Sequence, residues 1–506
     1  MAIPIPGGVC WPRPSCRLGA DDATARRHGL DPDLLDPRKE KVLGFLYTFL
    51  PAPPVSAAAT LSCAAAPESE DGEGGADRIS ALPDDLLRHV LARLPAKDGA
   101  RTAVLSTRWR GLWHTAPLVL VDAHFLPLGA ARPPRPGAAL AAHPGPIPFV
   151  SLTCGFYDDA DADRAALERL FTLLATKGVD ELVFVNRPWP LPGLRLPAAL
   201  FGCASLRRLH LGAWVLPDWA KLPRGPSFPN LQELVLGAVV MDNLDLLFVA
   251  LCLPRARCCS QSLRSVQFCL SMVEEVAAVN APCLERLFIW RCWSHHGRRI
   301  KIGLGHAPRL DMLGYLEPGV HELEIGNTII KSGTKPSPRT TVPAVRTLAL
   351  SLNFAVYSEV KMLPSFLKCF PNVETLCVES EVTHEDEPIG TLDLKFWQES
   401  GPIECVQWHL KTLVLREFHG EQNEFDFLMY VAENARVLEN MVLVLKIGRY
   451  SAPEEVACKF MALDSARWAS GGSKLKSLLS RLRDGGSLWS LKAGCDLSFG
   501  DPFFCL

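Results

Sequence analysis

Residues 78–122 read RISALPDDLLRHVLARLPAKDGARTAVLSTRWRGLWHTAPLVLVD. Leu82, Leu86, Val90 and Leu94 recur every four positions with Leu87 and Leu91 beside them. That spacing predicts a helix whose apolar stripe is wider than so small a unit can cover. Asp84 and Asp85 fall in the first turn, where the helix dipole favours acids, and Pro95 follows the last apolar position as a stop. Asp98 is placed to cap a second short helix running through Leu105, and Ser106 a third carrying Trp109, Leu112 and Trp113. The expected product is a cluster of three helices rich in Leu and Trp.

Both flanks are punctuated. Pro51 to Ala76 is Pro, Ala, Ser, Gly and acid, too poor in apolar residues to offset chain ordering, and Pro127 to Pro148 is a second Pro/Gly-rich stretch. Between them stand about fifty residues, few for a free-standing core, so the helical unit is expected to need a partner. Upstream, Arg38 to Leu50 has the composition of one short helix, and residues 1–76 as a whole read as a mostly disordered extension. Arg13, Arg17, Arg26 and Arg27 hint at an organelle transit peptide, and Asp21, Asp22 and Asp31 count against it. Val42 to Ala66 lacks charges, but Pro51, Pro53 and Pro54 interrupt it and Val42 to Leu50 is too short to span a bilayer, so no membrane association is expected.

The whole chain has 506 residues, 48% of them hydrophobic, which excludes wholesale disorder. A net charge of -2 argues against global attraction to nucleic acid or anionic lipid and leaves room for a local basic patch. The 17 cysteines are scattered with no C-x-x-C pair, and there is no Asn-x-Ser/Thr sequon. They read as small buried hydrophobes in the reducing cytoplasm, nucleus or both.

Beyond Val150 a phrase repeats: an apolar residue, two variable ones, an apolar residue, one variable, an apolar residue. Clear copies are Leu206-Arg-Arg-Leu209-His-Leu211, Leu231-Gln-Glu-Leu234-Val-Leu236, Leu263-Arg-Ser-Val266-Gln-Phe268 and Leu284-Glu-Arg-Leu287-Phe-Ile289. Others begin at Val179, Leu310, Val320, Val345, Val373, Leu410 and Leu438. From Leu182 to Leu313 the second apolar positions are 27, 25, 32, 21 and 26 residues apart, the signature of leucine-rich repeats. In each short strand the second and third apolar residues face the stack while the residue between them faces out. One repeat cannot bury its apolar face alone, so neighbours stack. Ordinary strands of an α/β domain are the competing reading, and eleven copies weigh against it.

The helical stretch resembles an F-box. Leu82-Pro83, Asp84-Asp85, Leu86-Leu87, Val90-Leu91, Leu94-Pro95-Ala-Lys97-Asp98 and Val104-Leu105-Ser106-Thr-Arg108-Trp109-Arg110-Gly-Leu112-Trp113 meet that family's pattern. Gly99-Ala100 departs from it, since plant members usually carry larger apolar residues there, and is expected to loosen the second helix. Residues 404–445 resemble the FBD element of plant F-box proteins with leucine-rich repeats: Glu404-Cys-Val-Gln-Trp-His-Leu-Lys-Thr-Leu-Val-Leu415, then Phe418-His-Gly420, Glu424 and the run Tyr430 to Met441. The resemblance implies an α/β chain divided into an extension (1–76), a three-helix F-box (77–125), a linker (126–150), a right-handed, horseshoe-like β-α solenoid of repeats (151–403), and an FBD-like region continuing it (404–506). It also implies docking to the Skp-type adaptor of a cullin-RING ubiquitin ligase, with a target protein held on the repeats for ubiquitination.

An apolar helical face with aromatic residues has the composition of a binding hot spot, and the outward role falls on Leu82, Pro83, Leu86, Val90, Leu94 and Trp109, with Leu87, Leu91 and Leu105 as internal packing. For the target, the outward strand positions are Arg208, His210, Glu233, Val235, Ser265, Gln267, Arg286 and Phe288. No cofactor is called for, and a small-molecule co-ligand, though compatible with a solenoid, is not indicated. Catalysis is not expected: there is no G-x-S-x-G, Walker A or G-x-G-x-x-G phrase, and His321-Glu322 and His384-Glu385 lack a second His four positions after the first. Cys283, Cys292, His295 and His296 lack the close Cys pair of a zinc site. Trp290 to Lys301 is basic with aromatic residues interleaved, fit for an acidic peptide, phosphate or RNA or simply a solvated loop, and Glu379 to Glu387 reads as an exposed acidic loop. The alternative to the ligase role is a repeat scaffold acting outside ubiquitination.

Overall fold

The computed structural model describes residues 46, 50–55, 79–125, 136–158, 160–187, 194–217, 228–240, 262–294, 297–381, 394–445, 460–461, 463–472, 475–479 and 497. Most of the expected N-terminal extension lies outside them. Two compact units divide the chain: Met1–Tyr47 with Ala52–Leu200, and Thr48–Pro51 with Phe201–Leu506.

The first unit holds the three expected helices, α1 (Asp84–Leu91), α2 (Ala96–Thr102) and α3 (Thr107–Thr115). Ser106 caps α3 as expected, its hydroxyl accepting the Trp109 backbone N–H at 3.3 Å. Asp98 does not cap α2. The helix starts after Pro95, and Asp98 sits inside it, paired with Arg101 at 2.9 Å. α2 also ends three residues before Leu105, which leaves Val104 and Leu105 on a turn. The Gly99 departure has a structural counterpart: a Cβ there would stand 2.7 Å from the Trp113 ring, so the indole occupies the space that a larger residue would fill.

The helices run directly into a sheet. β1 (Val119–Val121) pairs in parallel with β2 (Phe149–Gly155), and β2 with β3 (Glu181–Asn186), whose crossover is α5 (Asp161–Lys177). α4 (Pro136–Ala142) stands within the stretch read as a linker. Asp122, just after β1, is buried and accepts the backbone N–H groups of Thr153 and Cys154 at 3.1 and 2.8 Å, tying the two strand ends together.

In the second unit the strands are β4 (Arg208–Gly212), β5 (Glu233–Gly237), β6 (Ser265–Cys269), β7 (Glu275–Asn280), β8 (Arg286–Trp290) and β9 (Ile300–His306). Then come β10 (Met312–Leu316), β11 (His321–Ile325), β12 (Thr328–Ile329), β13 (Thr347–Leu352), β14 (Thr375–Ser380), β15 (Thr412–Phe418), β16 (Asn440–Leu445) and β17 (Leu475–Leu479). One sheet runs β4-β5-β6-β8-β10-β13-β14-β15-β16-β17, all neighbours parallel. Nine copies of the repeated phrase fall on its strands, and the Val179 copy falls on β3 of the first unit. The Val320 copy is β11, which belongs to a second sheet ordered β12-β11-β9-β7. Strands therefore return the chain between β6 and β13, where a β-α solenoid would have helices. β11 buries His321, Leu323 and Ile325 and leaves Glu322 and Glu324 half-exposed, the period-2 alternation of a sheet packed on one face. From β13 onward helices take over: α6 (Tyr357–Val360), α7 (Leu363–Lys368), α8 (Leu394–Glu399), α9 (Glu404–Trp408) and α10 (Gln422–Asn434).

Four repeats turn the same corner. Ala213, Ala238, Leu270 and Arg291 each follow a strand directly with φ of 57°, 55°, 49° and 48°. Each left-handed residue costs about 1–2 kcal/mol. The chain then re-enters parallel bridges from Val215 to Val240, Met272 and Trp293.

The FBD resemblance has a structural centre in Glu424, fully buried on the first turn of α10. Its carboxylate accepts the Ser380 hydroxyl at 2.6 Å and the backbone N–H groups of Glu421 at 2.8 Å and His419 at 3.2 Å, joining β14, the β15–α10 turn and the helix start. Glu424→Gln keeps the shape but weakens these charge-assisted bonds, and a loss of about 1–2 kcal/mol in denaturant unfolding is expected.

Candidate functional site

The three helices bury Leu87, Leu91, Trp109, Leu112 and Ala116 together, with Leu82 and Leu94 partly buried against them. Arg108 locks the bundle. Its guanidinium donates to Asp84 at 2.7 Å, to the Leu82 carbonyl at 2.7 Å and to the Ser80 carbonyl, fixing the start of α3 to the start of α1. Arg108 and Trp109 thus both serve the bundle's own assembly, Arg108 at its surface and Trp109 in its interior. Trp109 is 8% exposed, which corrects its outward assignment: the Ser106 cap turns the first turn of α3 so that the indole meets Leu87 and Leu91.

What the bundle presents is different. Leu86 is 51% and Val90 42% exposed, one turn apart on α1, and Pro83 is exposed at its start. Val104 and Leu105 are 80% and 69% exposed, so Leu105 is not internal packing. With Ile79, five of the twelve large exposed apolar residues among those described fall within residues 79–105, so exposed apolar side chains are concentrated on this bundle. The signal for Val104 and Leu105 was the length of α2; the Asp98 cap placed them wrongly inside a helix.

In the second unit Arg208 is exposed and Glu233 half-exposed, but His210, Val235, Ser265, Gln267, Arg286 and Phe288 are buried, which corrects their reading as an open surface. The register explains it. His210, Val235, Gln267 and Phe288 lie in one row across β4, β5, β6 and β8, and Arg208, Glu233, Ser265 and Arg286 in the row before, so side chains one strand spacing apart shield each other. Parallel strands are commonly buried on both faces. Burial lowers the His210 imidazole to about 3, with Arg208 adding to the effect.

The same face of the sheet, further along, carries charge. Ser351, Glu379 and Arg416 lie in register on β13, β14 and β15, on the side opposite the core residues Leu350, Val378 and Leu415. Arg291 donates to Glu379 at 2.8 Å although β10 and β13 stand between β8 and β14 in the sheet, so the two side chains together span that gap. Ser351 donates to Glu381 at 2.8 Å. Burial would lower the Arg291 pKa, but Glu379, Glu381 and Glu317 overcome it and the value is raised. Glu317 follows β10; burial first, then Glu381 and Glu379, lift its carboxyl to about 8 against the pull of Arg291. The acidic stretch therefore begins inside the sheet, with Glu379 only 3% exposed, while its remainder from residue 382 lies outside the described residues. The basic and acidic runs were legible separately; the fold brings Arg291 and Glu379 together.

These groups set a pH profile. Glu317 holds in the folded state a proton that the unfolded chain loses above 4.5, so its contribution is complete below that value and is lost as pH rises through about 8. Stability is expected to fall by about 1.4 kcal/mol between pH 7 and pH 9, and Glu317→Gln to flatten that limb in thermal melts. His210 and His321, both lowered to about 3 by burial, act in the opposite sense: their contribution is present above 6.5 and is lost as pH falls below it.

Among the described residues no group of His, Cys, Asp and Glu could hold a metal ion; Cys283 and Cys292 are described, and His295 and His296 lie outside. The Cys292 thiol is pushed to about 12 by burial. No described helix is long and apolar enough to cross a membrane.

Comparison with known proteins matches residues 79–119 to the F-box domain. Residues 167–378 match the family described as FBD-associated F-box protein At5g56370, LRR repeats, and residues 398–443 match FBD. The FBD-associated F-box protein At4g13985 of Arabidopsis thaliana is 24% identical over 445 residues, covering 76% of this chain and 94% of that protein. The F-box/LRR-repeat protein 13 of the same plant is 25% identical over 421 residues, covering 74% and 91%. The putative F-box/FBD/LRR-repeat protein At1g66290, also from Arabidopsis thaliana, is 32% identical over 180 residues, covering 35% and 38%.

Proposed function

This chain is an F-box protein with leucine-rich repeats and an FBD region, and on that premise we propose that it is the substrate-recognition subunit of an SCF-type cullin-RING ubiquitin ligase. The bundle docks on the Skp-type adaptor, and the repeat unit holds a target protein for ubiquitin transfer by the rest of the complex. The chain does no chemistry of its own. The observation that carries this reading is a helical bundle with a complete interior, built on Leu87, Leu91, Trp109 and Leu112, that still leaves Leu86, Val90, Val104 and Leu105 in water. Covering each such side chain, given its partial exposure, is worth roughly 1–2 kcal/mol, which gives a partner surface a driving force before the cost of association.

The place of action is the cytoplasm, the nucleus or both, in keeping with cysteines that, among the described residues, are mostly buried as small apolar side chains. Proximity labelling in plant cells with the proteasome blocked tests the function. The intact chain should label adaptor, cullin and a set of accumulating targets, and a chain bearing Leu86→Asp and Leu105→Asp should keep the targets and lose the ligase. Loss of neither, or labelling of no ligase component by the intact chain, would refute the assignment.

A further inference from the structure

The charged face across β10, β13, β14 and β15 holds a buried carboxylate oxygen that its own cations do not reach. Three carboxyl groups, Glu317, Glu379 and Glu381, meet two guanidiniums, Arg291 and Arg416, among the described residues. Arg416 is buried and its charge is held by Cys377, Tyr315 and Glu379 against desolvation. Arg291 is different: its side chain is 50% exposed, it enters from three strands away, and its guanidinium lies 5.4 Å from the centre of the Trp290 ring. It spends one of its contacts on Glu379 Oε1. The second oxygen, Glu379 Oε2, is buried without a hydrogen-bond partner, on a side chain only 4% exposed. A buried carboxylate oxygen left in that state costs on the order of 1–3 kcal/mol, more for a charged group, unless something supplies a donor. Glu317, facing Arg291, Glu379 and Glu381, with its own backbone N–H donated to His321 Nδ1, keeps its proton because it is buried and because Glu381 and Glu379 add negative charge beside it.

We propose that this face of the repeat unit is the target-recognition site and takes a basic side chain, arginine or lysine, of a bound protein segment, with Arg291 as the internal group that holds the place until the target arrives. The geometry has the parts such a site needs: a carboxylate fork at Glu379 and Glu381, a hydroxyl at Ser351 already directed at Glu381, and the Trp290 ring, on whose face a cation is attracted. Arrival of a cation also favours ionisation of Glu317, so binding releases a proton near neutral pH. The idea rests on the receptor reading and adds to it the chemistry of the target.

A random twelve-residue peptide display library selected on the full chain provides the probe, with the same preparations assayed for adaptor binding. Selected peptides should be enriched in Arg or Lys at a recurrent position, and a selected peptide should lose at least tenfold in affinity against Glu379→Gln. The half-buried Glu381→Gln gives the same test where Glu379→Gln fails to fold. Arg291→Ala should tighten the peptide by removing its competitor, and calorimetry at pH 7.5 in buffers of different ionisation enthalpy should register proton release that Glu317→Gln abolishes. A library that yields no binder, binders without basic enrichment, or acidic binders lost in Arg291→Ala would overturn the proposal. If the adaptor still binds in those cases, the receptor reading stands without it; if the adaptor fails as well, the receptor reading falls.

Discussion

Trp109→Ala should unfold the helical bundle while leaving the second unit's strand ladder intact. The indole is packed against Leu87, Leu91 and Leu112, and removing such a side chain from a core costs about 3–5 kcal/mol. A bundle of three helices, the longest of nine residues, has little in reserve against that loss. Hydrogen exchange should show protection lost over residues 84–115 and kept over 347–445. Limited proteolysis should open new cleavage at Arg88 and Arg93. Adaptor binding would vanish too, but as a consequence of unfolding. Unchanged protection together with lost adaptor binding would return Trp109 to the outer surface and contradict the placement described above.

The second large effect is the converse. Leu86→Asp with Leu105→Asp alters side chains that are more than half exposed and sit outside the bundle's core, so stability should stay within about 0.5 kcal/mol of the parent. Adaptor affinity should fall at least 100-fold, since two partly exposed apolar anchors worth roughly 1–2 kcal/mol each are replaced by charges that must be desolvated. Leu94 and Leu82 would be ambiguous choices, because both pack on the core cluster and a change there mixes folding with binding. Comparison with Leu87→Asp, fully buried, separates the two effects: that variant should not fold.

The sequence carried the bundle and the ladder by different routes. α1 was legible from its four-residue recurrence, because a helix in a small unit must put one stripe inward whatever the rest of the chain does. Which leucine of a wide stripe faces out was not legible: Leu86 and Leu87 are neighbours, and only the angle at which α3 crosses, fixed by Ser106 and Arg108, assigns them. The repeat phrase located ten of its eleven strands in the long parallel ladders, since a period of two under a fixed apolar pattern leaves no other register. It misled at Val320, where the same phrase makes a strand of the returning layer. It also misled about the variable positions, because alternation says which side a residue faces and nothing about whether that side is open. His210, Gln267 and Phe288 face away from the apolar stack and are buried all the same. The Arg291–Glu379 pair, 88 residues apart, lay beyond any local reading.

The account turns on whether the exposed apolar residues of the bundle are a surface for the adaptor. The most direct measurement is calorimetric titration of a purified plant Skp-type adaptor into the full chain at several temperatures. The account predicts saturable one-to-one binding with a dissociation constant on the order of 1 µM or tighter, a negative heat-capacity change from apolar burial, and loss of both in the Leu86→Asp, Leu105→Asp chain. A folded parent chain that gives no saturable heat, or a double variant that binds as well as the parent, would contradict it.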